Sequence, residues 1–137
     1  MVNQVLNILL VEDNFLDIQL TRRALVDTDI NHQLHVVNHG GQAFSFLFGE
    51  GPFVEKPRPD LIFLDLHMPF VDGNEVLHRL KSGDEFSAIP IVMLTVLGSE
   101  EGVASSTDRL ADAYMAKPVD SKQLITFIQA HFPQVRG

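Results

Sequence analysis

The sequence contains no cysteine, which excludes a disulfide framework and thiolate chemistry and favours a cytoplasmic protein. No apolar run approaches the roughly 20 residues that a bilayer-spanning helix needs, and the first four residues lack the basic start of a signal peptide. Basic residues are few, because 10 Lys and Arg stand against 18 Asp and Glu, giving a net charge of −8. Phosphate backbones are bound by clustered Lys and Arg, so this balance argues against direct nucleic-acid binding.

Short apolar runs alternate with amphipathic stretches along the 137 residues, which are numerous enough to bury a substantial core as one domain over 1–137. The apolar runs predict buried strands over 5–11, 33–39, 61–66, 90–95 and 112–117. The stretches between them predict helices over 15–28, 40–48, 73–81, 100–109 and from 121 onward, with a surface loop over 49–59. This alternation predicts an α/β, flavodoxin-like three-layer sandwich whose five-stranded parallel sheet has the order 2-1-3-4-5.

The predicted helices have N-terminal signals of their own. Asn14 and Asp120 are typical N-cap residues for the first and last helices, and Asp72 with Glu75 forms a capping box for the third. Asp17 occupies the third position of the first helix, where a carboxylate suits the helix dipole. The residues of this helix expected to face the sheet are Leu16, Leu20 and Ala24 in one stripe, and Ile18 and Leu25 in a second. The packed side of the last helix is expected to be Leu124, Phe127, Ile128 and His131.

A single carboxylate interrupts the most apolar stretch of the chain. Asp65 follows four consecutive apolar residues and precedes Leu66. A buried carboxylate is costly unless it is paired, hydrogen-bonded or bound to a metal. We therefore expect Asp65 at the carboxyl end of its strand, where α/β sheets place their ligands. Three other predicted strands also end in polar groups, and all these ends meet at one edge of a parallel sheet: Glu12-Asp13, Thr95 and Lys117.

Carboxylates gathered at one edge repel one another and raise one another's proton affinity, which a hard divalent cation relieves. Mg²⁺ suits this edge because it prefers one or two carboxylates, carbonyl oxygens and retained waters. Lys117 adds a fixed positive charge and Thr95 a hydroxyl donor, so the edge could stabilise a phosphoryl group during and after its transfer. Asp65 would be the nucleophile, because aspartyl phosphates are an established covalent form.

Motifs at four strand ends, in chain order, carry a resemblance to a known family. They are Glu12-Asp13, Leu64-Asp65-Leu66 with Met68-Pro69 and Asp72-Gly73, Thr95, and Tyr114-Met115-Ala116 followed by Lys117-Pro118. Over nearly its whole length the chain resembles the receiver domain of two-component response regulators. The resemblance implies a signalling switch that is not a turnover enzyme, in which Asp65 takes a phosphoryl group from a phosphohistidine of a sensor histidine kinase. It also implies a Mg²⁺ ion held by Asp13, Asp65 and the backbone carbonyl of His67, with Glu12 acting mainly through water.

The resemblance further implies how the phosphoryl group acts on the protein. Lys117 would pair with it, Thr95 would swing inward to bond it, and Tyr114 would follow from an outward to an inward rotamer. The Lys117–Pro118 peptide bond is expected to be cis. The kinase's phosphotransfer helices would dock on the first helix, where Phe15 is the expected surface contact.

Within the family, the loop over 49–59 and the absence of an output domain make the chain similar to small response regulators paired with cyanobacterial phytochromes. Such proteins are typically homodimers through the face made by the fourth helix, the fifth strand and the fifth helix. Phe127, His131 and Phe132 would suit that interface. Output would then pass by protein contact or by phosphorelay, without nucleic acid or membrane as a partner.

Two positions depart from the family pattern. Val96 follows Thr95 where receivers usually keep a small residue, and His67 lies two residues after Asp65, so both bear on the lifetime of the phosphoryl group. One alternative is a receiver-like module that binds a partner without being phosphorylated, and this reading rests on Val96. A second is a phosphatase or mutase of the haloacid-dehalogenase type, which we reject because that class needs an acid where this chain has His67.

Overall fold

The computed structural model describes residues 5–66, 73–96 and 111–134. Its strands are β1 (Leu6–Val11), β2 (His32–Val37), β3 (Leu61–Asp65), β4 (Ile91–Val96) and β5 (Ala113–Lys117). They form one parallel sheet of order β2-β1-β3-β4-β5, which confirms the predicted flavodoxin-like topology. The helices in the described ranges are α1 (Phe15–Asp27), α2 (Gly40–Phe48), α3 (Gly73–Ser82) and α4 (Ser121–His131). None of them combines the length and apolar character needed to cross a membrane.

Helices cover both faces of the sheet, and this explains why the strands are almost wholly apolar. Successive strand residues point to opposite faces, so each strand contributes to two separate cores. The core under α1 and α4 includes the strand residues Ile8, Leu10, Leu61, Phe63, Val92 and Leu94. The core under α2 and α3 includes Leu9, Val11, Ile62, Leu64, Ile91 and Met93. All twelve are fully buried, which leaves the ends of the strands as the place for polar side chains.

The predicted helix caps at both ends of the chain are confirmed. Asn14 Oδ1 accepts a hydrogen bond of 2.9 Å from the backbone N–H of Asp17, and Asp120 Oδ2 accepts one of 3.3 Å from the N–H of Gln123. A third cap was not predicted: His39 is the N-cap residue of α2, and its Nδ1 accepts a hydrogen bond of 3.3 Å from the N–H of Gln42. Strand β2 therefore ends at Val37, two residues before its predicted end, because the chain already turns into α2.

The predicted buried face of α1 is partly wrong. Ile18, Ala24 and Leu25 are buried as expected, together with Thr21, but the side chains of Leu16 and Leu20 are 64% and 41% exposed. A helix advances about 100° per residue, so positions 16 and 20 lie on the side of α1 opposite the arc that contains 18, 21 and 25. The prediction followed a spacing of four residues along the chain, whereas the buried face follows the arc that touches the sheet.

The last helix also differs from its prediction at one position. Leu124, Phe127 and Ile128 are buried, but His131 is exposed and stacks on the ring of Phe127 with centroids 4.1 Å apart. Phe132, just beyond the helix, is partly buried against the core under α1 and α4. Several predictions lie outside the described residues: those on His67, on Met68-Pro69, on Asp72, on the helix over 100–109 and on the side chain of Val96.

Gly73 allows α3 to begin directly against the end of β3. Its N–H donates to the backbone carbonyl of Leu66 at 3.0 Å. A Cβ added at Gly73 would overlap the backbone carbonyl oxygen of Asp65 and would lie 2.8 Å from the Cα of Leu66. Only glycine lets the two backbones approach this closely. Gly73 therefore allows the start of α3 to pack directly against the segment that carries Asp65.

Candidate functional site

The predicted site residues lie at the carboxyl ends of four strands. Glu12 and Asp13 follow β1, Asp65 ends β3, Thr95 lies near the end of β4, and Lys117 ends β5. Glu12, Asp65 and Thr95 are buried, whereas Asp13 is exposed. Because the four strands are neighbours and parallel, residues that are far apart in sequence meet at this edge, as predicted.

The ammonium group of Lys117 binds three carboxylates. Its Nζ lies 3.1 Å from Glu12 Oε1, 3.2 Å from Asp65 Oδ1 and 3.0 Å from Asp17 Oδ2. The Lys117 side chain is only 10% exposed. Burial by itself lowers the pKa of Lys117, but the hydrogen bond to Asp17 and the charges of Asp65 and Glu12 outweigh it, so the net pKa is raised. Lys117 therefore stays positively charged at the site.

Asp17 is the member of this cluster that the sequence analysis did not identify. It was interpreted only as an acid that favours the start of α1, whereas the structure makes it the third partner of Lys117. The signal available in the sequence was its position one helical turn beyond Asp13, which places an acid of the first turn near the preceding strand end. Its partner is 100 positions away in the sequence, so no local pattern could name it.

The carboxyl group of Glu12 has a raised pKa. Burial is the largest cause, followed by the hydrogen bond and the negative charge of Asp65, and together they raise the pKa of Glu12 from 4.5 to about 7 despite the opposing effect of Lys117. Glu12 Oε2 also accepts a hydrogen bond of 3.2 Å from the N–H of Asn14. Without a metal ion, Glu12 therefore keeps its proton up to near-neutral pH.

Three carboxylates of the described residues fit a divalent cation. Oxygen atoms of Glu12, Asp13 and Asp65 all lie within 4.8 Å of one another. The set offers only oxygen ligands, and Asp13 is exposed, so retained waters have access from outside. These are the ligands and the hydration that Mg²⁺ prefers. The fourth predicted ligand, the carbonyl of His67, lies outside the described residues.

The two predicted switch residues lie on neighbouring strands. Thr95 follows Leu94, which pairs with Asp65 across β3 and β4, and Thr95 itself pairs with Ala116, next to Lys117. Tyr114 lies on the edge strand β5, partly buried against the core under α2 and α3. Its hydroxyl is buried and has no hydrogen-bond partner among the described residues. The Lys117–Pro118 peptide bond is cis, as expected.

Comparison with known proteins gives the family. The model of the response regulator receiver domain matches residues 8–129. Response regulator Rcp1 of Synechocystis sp. is 37% identical over 122 residues, which cover 89% of this chain and 83% of Rcp1. The bacteriophytochrome response regulator RtBRR superposes with a TM-score of 0.80 at 38% identity, over 91% of this chain and 76% of that chain. The phosphorylated cyanobacterial phytochrome response regulator RcpA does so with a TM-score of 0.75 at 35% identity, over 93% and 91%. The chain therefore belongs to the response regulator receiver domain family.

Proposed function

We propose that the chain is a phospho-accepting response regulator, in which Asp65 takes a phosphoryl group from a sensor histidine kinase in a Mg²⁺-dependent reaction. One observation carries the proposal: the Asp65 carboxylate ends a buried strand, and its Oδ1 lies 3.2 Å from Lys117 Nζ, beside the carboxylates of Glu12 and Asp13. A carboxylate with so few routes to solvent and a fixed cation at its side suits acceptance of a phosphoryl group.

The transfer needs little covalent chemistry from the protein. An oxygen of Asp65 attacks phosphorus, the new O–P bond forms as the N–P bond of the phosphohistidine breaks, and the electron pair stays on the departing imidazole nitrogen. Lys117 stabilises the negative phosphoryl oxygens. Asp13, Asp65 and the carbonyl of His67 would hold Mg²⁺, with Glu12 acting through water, and the ion would neutralise phosphoryl charge when bound. A Mn²⁺-bound form of Rcp1 and a phosphorylated form of RcpA support this proposal by similarity.

The switch would run through Thr95 and Tyr114. Thr95 lies between the strand ends that carry Asp65 and Lys117, so a short movement would bring its hydroxyl to a phosphoryl oxygen. The hydroxyl of Tyr114 has no hydrogen-bond partner in the part of the chain that the structure describes, and this supports a rotamer change, because a buried hydroxyl without a hydrogen bond costs about 1–3 kcal/mol. Such a change would alter the edge of the sheet that β5 forms.

The exposed face of α1 is the proposed docking surface for the kinase. Phe15 is 74% exposed, and Leu16 and Leu20 extend the apolar surface along the helix. A shallow groove of about 250 Å³ continues from Leu20 to Pro118, next to Lys117. An apolar helix face beside the phosphoryl site suits the helices that carry a phosphohistidine. Similarity to the bacteriophytochrome response regulator RtBRR and the phytochrome response regulator RcpA supports a phytochrome as this kinase.

A homodimer would use the face that includes β5 and α4. A groove of about 510 Å³ lies there, lined by residues that include Ala113, Met115 and Ala130. Phe127 is buried and supports the exposed ring of His131, so His131 is the better placed of the two for an interface. Residues 100–109, the remaining part of this face, lie outside the described residues. Output by protein contact or phosphorelay, without turnover, stays a prediction.

The proposal is tested by incubating the chain with acetyl phosphate and Mg²⁺ and measuring intact mass and size-exclusion elution. The variants are Asp65→Asn and, as a matched control, Asp27→Asn, which removes an exposed carboxylate of α1 that pairs with Arg23. A phosphoryl mass gain is expected for the wild type and Asp27→Asn, and none for Asp65→Asn. Equal gain in Asp65→Asn would refute the site. No gain in a folded wild type that binds Mg²⁺ would instead favour the phosphorylation-independent binding module.

A further inference from the structure

Asp17 stands outside the set of residues that the proposed phosphotransfer uses, yet it makes the shortest of the three ion pairs of Lys117. Its Oδ2 lies 3.0 Å from the Nζ atom. Its backbone is fixed in the first turn of α1 by the Asn14 cap. The Asp17 side chain is 27% exposed, whereas that of Glu12 is fully buried and that of Asp65 is 2% exposed. Asp17 is therefore the only one of the three partners with a ready route to water.

In the unphosphorylated chain Lys117 Nζ donates hydrogen bonds to Glu12 and Asp17 and forms an ion pair with Asp65. An ammonium group donates three hydrogen bonds, and three carboxylate oxygens lie at 3.0–3.2 Å from Nζ. A phosphoryl group on Asp65 adds acceptor oxygens beside an ammonium group that already has three acidic neighbours, so these oxygens compete for its three hydrogens. Glu12 cannot turn to water from its buried position, and Asp65 carries the phosphoryl group itself. Asp17 is the partner that can be replaced at least cost, because water can solvate its carboxylate.

We propose that Asp17 is a positioning residue for Lys117 that competes with the phosphoryl group for the lysine ammonium. The inference rests on the proposed function and deepens it. In the unphosphorylated chain Asp17 holds Lys117 in place, and in the phosphorylated chain it must release the lysine or share it. The pair with Asp17 therefore favours the unphosphorylated state, and phosphorylation changes the charge pairing of the first turn of α1, next to the exposed Phe15 and Leu16.

The affinity for beryllofluoride, a reversible phosphoryl mimic, measures this competition without covalent chemistry. With Mg²⁺ present, Asp17→Asn is expected to bind beryllofluoride about three- to tenfold more tightly than the wild type, the range expected for loss of one competing hydrogen bond of ordinary strength. Acyl phosphate formed from acetyl phosphate should also last longer in this variant after the donor is removed.

Two further variants separate competition from other effects. Asp17→Glu keeps the charge and can still reach Lys117, so it should return the affinity toward the wild-type value. Asp27→Asn removes the same charge from the same helix, but Asp27 pairs with Arg23 at 3.3 Å and not with Lys117, so the affinity should not change. The carbon NMR signal of the Asp17 carboxylate should also shift when beryllofluoride saturates the wild type, because Asp17 loses the hydrogen bond that Lys117 donates to it.

The outcomes distinguish this inference from the function on which it depends. If the wild type binds neither beryllofluoride nor a phosphoryl group, the proposed function fails and the inference fails with it. If the wild type binds and Asp17→Asn binds equally well or more weakly, only the inference is overturned. Equal tightening in Asp17→Asn and Asp27→Asn would also overturn it, since the effect would then come from net charge. Tightening confined to Asp17→Asn, with rescue by Asp17→Glu, would support the competition.

Discussion

The buried carboxyl group of Glu12 makes the stability of the metal-free chain depend on pH. Its pKa is about 7 in the folded chain and 4.5 as the ordinary value for the unfolded chain. Between pH 4.5 and about pH 7 the folded chain keeps a proton that the unfolded chain has released. The free energy of unfolding therefore falls as pH rises through this range and levels off above pH 7. A difference of this size corresponds to about 3 kcal/mol.

The variant Glu12→Gln isolates this effect because glutamine has the shape of the protonated acid and does not titrate. Urea unfolding, followed by circular dichroism in EDTA, should show Glu12→Gln gaining stability relative to the wild type as pH rises from 5 to 8. The matched control is Glu55→Gln, in which the exposed side chain of Glu55 in the loop is neutralised, and its difference from the wild type should stay constant. Mg²⁺ should stabilise the wild type more at pH 8 than at pH 5, because a proton on Glu12 competes with the ion.

A difference between the wild type and Glu12→Gln that does not change with pH would refute this reasoning. It would mean that Glu12 ionises in the folded chain at its ordinary pKa, so the burial beside Asp65 would not keep the proton. The ion pair with Lys117 would then offset the burial that raises the pKa of Glu12.

Two further predictions concern the scaffold. Gly73→Ala should lower the free energy of unfolding by roughly 1–3 kcal/mol, because the added Cβ overlaps the carbonyl oxygen of Asp65. The matched control is Gly83→Ala, where the nearest atom would be 3.8 Å away, and it should show little change in thermal melting. His35 is buried in β2, and burial lowers its pKa, so below its ordinary pKa of 6.5 the unfolded chain binds a proton that the folded chain does not. The free energy of unfolding of the wild type, measured by urea titration, should therefore fall relative to that of His35→Gln as pH falls from 7 to 5. A difference between the two that stays constant with pH would contradict this.

The sheet and most of its site could be predicted from the sequence because each strand is a short apolar run with polar residues only at its end. Burial on both faces forces that pattern, and the parallel order then brings Asp65, Glu12 and Lys117 together. The pattern was sufficient to predict which residues meet. It was not sufficient to predict the raised pKa of Glu12, which depends on burial and on distances of a few ångströms.

The failures have physical reasons as well. The orientation of α1 on the sheet decides which apolar residues are buried, and the spacing of Leu16 and Leu20 alone does not contain that orientation. Asp17 was missed because its partner comes from the other end of the chain. His39 was missed as a cap because an imidazole nitrogen is a less common acceptor at this position than a carboxylate or hydroxyl oxygen.

The ion pair between Glu12 and Lys117 joins residues separated by 105 positions in the sequence. Lys117 ends the last strand, so Glu12 and Asp65 leave the ribosome during synthesis before the lysine that pairs with them. Neither β1 with β3 alone nor any fragment that lacks β5 can form the site. The proposed transfer of a phosphoryl group to Asp65 would then require the complete sheet, and copies truncated before β5 should not be phosphorylated.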